Sequence, residues 1–115
     1  MRVLLFLMAL SQTSWAKPSC QAFQASLKTV RFVPYVADGE LRGYVLHDIK
    51  PDALLYKAGG RELDLLVEID GRKLTDEKAV KAGLEGICGE GRSQTRFSVL
   101  RSGNPLTLDI ALSRK

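Results

Sequence analysis

Residues 30–46 read VRFVPYVADGELRGYVL, residues 50–60 read KPDALLYKAGG and residues 63–74 read LDLLVEIDGRKL. The first segment contains two runs rich in β-branched and aromatic residues, and Asp38-Gly39 between them is the residue pair of a tight hairpin turn. In the second segment, Pro51 can begin a short helix and Gly59-Gly60 can end it. The stretch therefore predicts two paired strands, a helix of about two turns and a third strand.

The third segment has the alternation of a strand with one buried face. The residues expected on that face are Leu63, Leu65, Val67 and Ile69. Asp70-Gly71 then predicts a turn. In the first segment, Pro34 cannot donate to a neighbouring strand, which favours an edge strand or a bulge, and Gly43 indicates a kink or a close backbone approach.

A longer helix and two more strands complete the predicted order. Thr75 can cap a helix over residues 76–87, whose apolar residues recur at steps of three and four: Ala79, Val80, Gly83, Leu84 and Ile87. Residues 88–92 predict a loop. Strands are then expected over Thr95–Arg101 and Leu106–Leu112, joined by residues 102–105.

The beginning of the chain has the pattern of a secretory signal peptide. Arg2 precedes an apolar run from Val3 to Leu10, and Ser14-Trp15-Ala16 supplies a small-x-small cleavage site. As a helix, the apolar run would span only about 12 Å of the roughly 30 Å bilayer core. We therefore expect cleavage after residue 16 and a mature protein that is periplasmic or secreted, without stable membrane insertion. The alternative to a signal peptide is a buried helix over the apolar run. Residues 17–28 show no clear period and are expected to be an N-terminal extension.

Composition indicates one small globular domain. The chain has 115 residues, of which 45% are hydrophobic and 26% charged, with a formal net charge of +4. These values are ordinary for a soluble domain and argue against disorder. Basic residues are scattered, and no aromatic residues alternate with them as a base-stacking surface would need, so no nucleic-acid partner is expected.

The chain has two cysteines, Cys20 and Cys88. Export would place them in a compartment where disulfides persist, so a single bridge between them is expected. Two separate buried thiols are the alternative. No histidine or further cysteine lies at a metal-ligand spacing, so we expect no metal site and no cofactor.

The order of predicted elements resembles the PDZ-like domains of bacterial envelope proteins, especially the PDZ domain of the type II secretion C component and, less closely, those of HtrA-type proteases. The likeness covers residues 29–114. Its residues are Val33-Pro34-Tyr35, Asp38-Gly39, Gly43-Tyr44, Pro51-Asp52, Ala58-Gly59, Asp64, Ile69-Asp70-Gly71, Leu74-Thr75-Asp76 and Arg101-Ser102-Gly103. It implies an α+β fold of five to six mostly antiparallel strands, a β-sandwich or partly open barrel capped by one short and one longer helix.

The resemblance also implies a function, because PDZ-like modules bind an extended peptide between a sheet edge and the longer helix. Carried over by position, the peptide-binding residues would be Val30, Arg31, Phe32, Val33, Pro34, Val80, Leu84 and Ile87. The alternative is that Phe32, Val80 and Leu84 are ordinary core residues. No glycine signature precedes Val30, which weakens the case for capture of a C-terminal carboxylate; an internal peptide and a folded partner are the other ligands considered. A bridge to Cys88 would hold residues 17–28 near one end of this groove and let them shape it.

Two other classes of function compete with a binding module. An enzyme is disfavoured, because His47 and Asp48 are neighbours in a strand and point to opposite faces, and because no nucleophile elbow or phosphate loop is present. Asp70 and Asp76 are better explained as a turn residue and a helix-start residue than as a catalytic pair. The third class is a structural subunit of an envelope assembly that docks through its sheet edge without binding free peptides.

Overall fold

The computed structural model describes residues 17–89 and 93–113. The predicted signal peptide, the last three residues of the predicted 88–92 loop and the predicted domain end at residue 114 lie outside them. In chain order the elements are α1 (Cys20–Leu27), β1 (Arg31–Ala37), β2 (Glu40–His47), α2 (Leu54–Lys57), β3 (Leu65–Ile69), β4 (Arg72–Lys73), α3 (Glu77–Gly89), β5 (Gln94–Arg101) and β6 (Asn104–Ala111). No helix in the described ranges is long and apolar enough to span a bilayer.

The six strands form one open sheet in the order β1-β2-β3-β5-β6, and the short β4 pairs with β3. All the paired strands are antiparallel. The predicted α+β class with six mostly antiparallel strands is therefore confirmed. β1 is an edge strand, and its register with β2 shifts between Tyr35 and Val36. Pro34 therefore lies in an edge strand and directly before an irregularity, the two settings predicted for it.

Tight turns connect three of the strand pairs. The turn residues Asp38 and Gly39 have φ values of 55° and 77°, and Asp70 and Gly71 have 51° and 83°. Two consecutive positive φ values are the geometry of the two-residue hairpin turn that Asp-Gly predicts. The Ser102-Gly103 turn has the same form, so β6 begins at Asn104, earlier than the predicted strand.

The predicted alternation of β3 is wrong. Leu63 is 64% exposed, with a φ of 70°, and lies before the strand. The register with β5 shifts between Leu66 and Glu68, which makes Val67 the extra residue of a bulge. The bulge places Leu66 and Ile69, instead of every odd-numbered residue, on the buried face.

The helices differ from the predictions at their ends. α3 continues through Cys88 and Gly89, which were predicted to belong to the 88–92 loop. Residues 51–53 precede α2 as a turn, and the helix is only the four residues Leu54–Lys57. In α3 the cap is Asp76, because its carboxylate accepts a hydrogen bond of 2.7 Å from the Ala79 amide. Asp76 and the turn residue Asp70 thus have the structural positions expected of them.

The N-terminal extension contains a helix that the sequence analysis did not predict. In α1, the Ser19 hydroxyl accepts a hydrogen bond of 3.0 Å from the Ala22 amide and caps the first turn. Phe23 is completely buried and meets Phe97 of β5 edge to face, with ring centroids 5.6 Å apart. α1 therefore packs on the core through Phe23 and Leu27.

An ion pair between the buried Asp64 and the partly exposed Arg101 holds the loop before β3. Asp64 is 1% exposed and accepts two hydrogen bonds of 2.8 Å from the Arg101 guanidinium. The pKa of Arg101 is raised, first because of this hydrogen bond with Asp64. Gly43 allows β2 to approach β3 closely, because a Cβ at this position would collide with the Leu66 carbonyl oxygen. This is the close backbone approach predicted for Gly43.

Candidate functional site

The outer edge of β1 carries backbone groups that its sheet partner does not use. Phe32 is opposite Leu46 of β2, but the Leu46 amide donates to the Asp64 carbonyl at 2.9 Å and the Leu46 carbonyl accepts from the Leu63 amide at 2.8 Å. Both groups of Leu46 therefore point away from β1. In an antiparallel pair, two opposite residues either bond to each other or both direct their backbone groups away from each other. The amide and the carbonyl of Phe32 therefore point outward from the sheet.

Pro34 limits how far this outer edge extends. It lies two residues after Phe32, opposite Tyr44, and so has its nitrogen and its carbonyl on the same outward side. Proline has no amide hydrogen, which leaves only its carbonyl as a hydrogen-bonding group. The register irregularity follows at Tyr35 and Val36. Along Phe32–Pro34 the edge thus offers one donor and two acceptors.

A surface groove lies beside this edge, with a volume of about 510 Å³. Its residues come from three elements and the turn after α1: Gln24, Leu27, Lys28, Val30, Phe32, Leu84 and Glu85. Four of the seven are apolar, and the charged Lys28 and Glu85 are exposed. We call this the β1–α1–α3 groove. An apolar cleft beside an unpaired strand edge has the physical features required to bind an extended chain.

Two bonds attach α1 to α3 and so position one wall of the groove. A disulfide joins Cys20 to Cys88, with 5.3 Å between their Cα atoms, which is the predicted pairing. The Gln24 side-chain amide donates a hydrogen bond of 2.7 Å to the Leu84 carbonyl. A third contact ties α1 to α2, because the Ser26 hydroxyl accepts from the Leu54 amide at 2.9 Å. The wall formed by α1 is therefore held at both ends and at its centre.

Three of the residues predicted for peptide binding line the groove: Val30, Phe32 and Leu84. Phe32 and Leu84 are only partly buried and pack against the core, so they also present apolar surface. Val80 is likewise partly buried on α3, one helical turn before Leu84, but is not among the lining residues. Pro34 is exposed on the β1 edge.

The remaining three predicted residues lie elsewhere. Val33 pairs with Val45 and lies on the opposite face of the sheet from Phe32. Arg31 is exposed and forms an ion pair with Asp48, with 3.2 Å between Nε and Oδ2. Ile87 is completely buried in the core and has no surface for a ligand. Of the two faces of β1, only the one containing Phe32 faces the groove.

Four lining residues were missed by the sequence analysis: Gln24, Leu27, Lys28 and Glu85. A local signal for the first three was available. Ser19 is a favoured N-cap residue, and Phe23 and Leu27 have the four-residue spacing of a buried helical face. That pattern could have predicted α1, but its position over the groove depends on contacts that are distant in the sequence.

Tyr44 lies at the boundary between the sheet and the start of α3. It is 9% exposed, and its pKa is raised, first by burial and then by the negative charges of Glu77 and Asp76. The neutral phenol is therefore favoured in the folded protein. In the register of the sheet Tyr44 is opposite Pro34, at the far end of the β1 edge.

His47 contacts Glu62 and not Asp48, the neighbour with which a catalytic pair was considered. Its Nδ1 atom is 3.4 Å from Oε2 of Glu62. The same Glu62 carboxylate accepts hydrogen bonds from the amides of Asp48 and Ile49, at 3.1 and 3.3 Å. These bonds fix the chain where it leaves β2, and Asp48 itself pairs with Arg31. The histidine thus belongs to a structural network.

Solved structures of PDZ domains are similar to this chain. The PDZ domain of EpsC from Vibrio cholerae, residues 204–305, has a TM-score of 0.64 and 21% identity, over 77% of this chain and 83% of that one. The PDZ domain of the pullulanase C protein of the type II secretion system from Klebsiella pneumoniae, solved with a fatty acid, has a TM-score of 0.61 and 22% identity, over 90% and 99% of the two chains.

A shorter EpsC domain, residues 219–305, has a TM-score of 0.58 and 22% identity, over 72% of this chain and 93% of that one. No protein-family model and no curated protein sequence matches. The structural likeness shows that the chain has a PDZ-like fold, and it confirms the predicted resemblance to the PDZ domains of the type II secretion C component.

Proposed function

We propose that this chain is an exported, non-catalytic interaction module that binds an extended segment of a partner protein by strand addition. The segment pairs with the β1 edge and places its side chains in the β1–α1–α3 groove. The observation that carries the proposal is the outward amide and carbonyl of Phe32 beside an apolar groove. Main-chain hydrogen bonds supply affinity in this mode of recognition, and the cleft supplies selectivity.

The structural neighbours support the choice of a binding module over an enzyme. They are PDZ domains, two from EpsC and one from the C protein of a type II secretion system. The Cys20–Cys88 disulfide supports an oxidising compartment such as the periplasm or the exterior. Because one neighbour belongs to a type II secretion system, the proposed role is in type II secretion or in the handling of envelope proteins.

A pull-down from a bacterial envelope fraction tests the proposal. The bait is the folded protein, and the groove-blocked variant is Leu84→Glu, which places a charge in the apolar lining. Thr107→Glu is the matched control, because it adds the same charge at an exposed position on β6, the other edge strand. We expect Thr107→Glu and the unmodified protein to recover the same partner and Leu84→Glu to lose it. Equal recovery by all three would mean that the groove is not the site.

Stoichiometry of the recovered complex, together with binding of isolated peptides from the partner, separates the module from a structural subunit. A subunit that docks through its sheet edge would copurify with one folded partner in fixed stoichiometry and would bind no isolated peptide from that partner. A module would bind a peptide with the partner's extended segment, and Leu84→Glu would weaken it. Circular dichroism of each variant establishes that a lost interaction is not a loss of folding.

Palmitate is a useful competitor in these assays, because a fatty acid is present in the pullulanase C structure and the groove lining here is mainly apolar. Displacement of the partner by palmitate would show that an acyl chain and a peptide share the groove. Palmitate binding that survives Leu84→Glu would assign the lipid to another part of the surface.

A further inference from the structure

The turn between α1 and β1 uses its own backbone donors. The amides of Lys28, Thr29 and Val30 donate to the carbonyls of residues 25, 26 and 27, at 3.2, 3.0 and 3.1 Å. The next residue, Arg31, is opposite His47 in the alternate, hydrogen-bonded position of the β1–β2 pair. Four consecutive amides at the start of the β1 edge are therefore already engaged within the domain.

The side chains of this turn do not replace the engaged amides. The Thr29 hydroxyl donates to the Ser26 carbonyl at 2.6 Å. Lys28 brings a positive charge to the groove, but Glu85 brings a negative charge to the same lining. The two charges offset one another for an incoming anion. This end of the groove therefore suits an electrically neutral backbone better than a terminal carboxylate.

The hydrogen-bonding groups that remain outward lie further along the edge. Phe32 presents a donor and an acceptor, and Pro34 presents an acceptor, so a bound chain exchanges two hydrogen bonds with Phe32 and donates a third to Pro34. Lys28 and Glu85 are both exposed, so the groove meets solvent at these two lining residues. A polypeptide that has passed Phe32 can leave the groove beside them.

We propose that the β1–α1–α3 groove binds an internal extended segment of its partner and does not select a free C-terminus; this inference rests on the proposed function. The ligand is a neutral, extended stretch with an apolar side chain facing Leu27, Val30 and Leu84, and with polypeptide on both sides of it. Recognition depends on main-chain pairing at Phe32, and a terminal carboxylate on the bound chain would add nothing to the affinity.

Two combinatorial libraries of nine-residue peptides, displayed on phage, test this inference with the disulfide-bonded protein. One library presents free C-termini, and the other presents the same random segment flanked by constant sequence on both sides. We expect the flanked library to yield binders that Leu84→Glu loses and Thr107→Glu keeps. A recovered peptide is then synthesised with a C-terminal carboxylate and with a C-terminal amide.

The dissociation constants of the two synthetic forms decide the outcome. We expect them to agree within about twofold. Acid forms that bind about tenfold or more tightly than amides, or enrichment from the free C-terminus library alone, would overturn the inference while supporting the proposed function. If neither library yields binders that depend on Leu84, the proposed function fails and the inference fails with it.

Discussion

The N-terminal segment makes different contacts at the two sides of the sheet. At the β6 edge, the Ser113 amide donates to the Pro18 carbonyl at 2.8 Å, and Ser19 and Ser113 form an isolated parallel bridge. At the β1 edge, the following helix α1 leaves the outward groups of Phe32 uncovered and forms a groove wall beside them. The chain just after β6 therefore receives one backbone pairing, whereas within the described residues β1 keeps the outward groups of Phe32 available.

This difference explains why residues 17–28 matter to the site. An unpaired edge strand invites association with other chains, so proteins normally cover or interrupt it. Here the interruption is Pro34 and the register shift that follows, which confines the available edge to a few residues. The segment from Pro18 to Leu27 pairs with the chain just after β6 on one side of the sheet and forms a groove wall beside β1 on the other. Loosening that segment should affect the two edges unequally.

Removing the disulfide should have the largest effect. Replacing Cys20 and Cys88 together by serine opens a loop of 68 residues, which should lower the free energy of unfolding by about 4 kcal/mol on the chain-entropy account. Urea unfolding followed by circular dichroism measures it. Reducing agent should bring the unmodified protein to the stability of the double variant and leave the double variant unchanged; no difference between the two proteins before reduction would contradict the account.

Phe23→Ala should come next. The change removes a fully buried ring that packs on Phe97 and should lower the free energy of unfolding by about 3 kcal/mol, because it leaves a cavity under α1. Gln21→Ala is the control, since Gln21 is exposed on the same helix. Equal stability of the two variants in urea would mean that α1 is not docked on the core.

Gln24→Glu should have a smaller effect that is confined to the groove. A carboxylate cannot donate to the Leu84 carbonyl, so one hydrogen bond of 2.7 Å is lost, at a cost of about 1 kcal/mol. Amide hydrogen exchange should become faster in α1 and stay the same at the Ser113 bridge on the β6 edge. Uniformly faster exchange would show instead that the change destabilises the whole domain.

Tyr44 should give the smallest effect, at high pH. Because its pKa is raised in the folded protein, by burial first, the folded state keeps the phenol proton more tightly than the unfolded state. The stability from this residue is complete below the unfolded pKa of about 10 and decreases as the pH rises above it. Urea unfolding should therefore show a steeper loss above about pH 10 in the unmodified protein than in Tyr44→Phe. Parallel losses would contradict this.

Local sequence patterns predicted the hairpins well, because Asp38-Gly39 and Asp70-Gly71 encode their turns with two adjacent residues. The β3 bulge was not predicted, because the shift at Val67 arises from pairing with β5, which lies far along the chain. The groove was only partly predicted for the same reason. Phe32 and Leu84 follow from their own elements, whereas the position of α1 depends on Cys88 and Phe97.

Hydrogen exchange at the Phe32 amide, measured by NMR with and without a peptide recovered from the flanked library, tests the central claim most directly. We expect this amide to exchange with solvent in the free protein and to become protected in the complex. The amides of Lys28, Thr29 and Val30, which are already bonded, should change little. Protection that appears along β6, with Phe32 unaffected, would contradict the assignment of β1 as the binding edge.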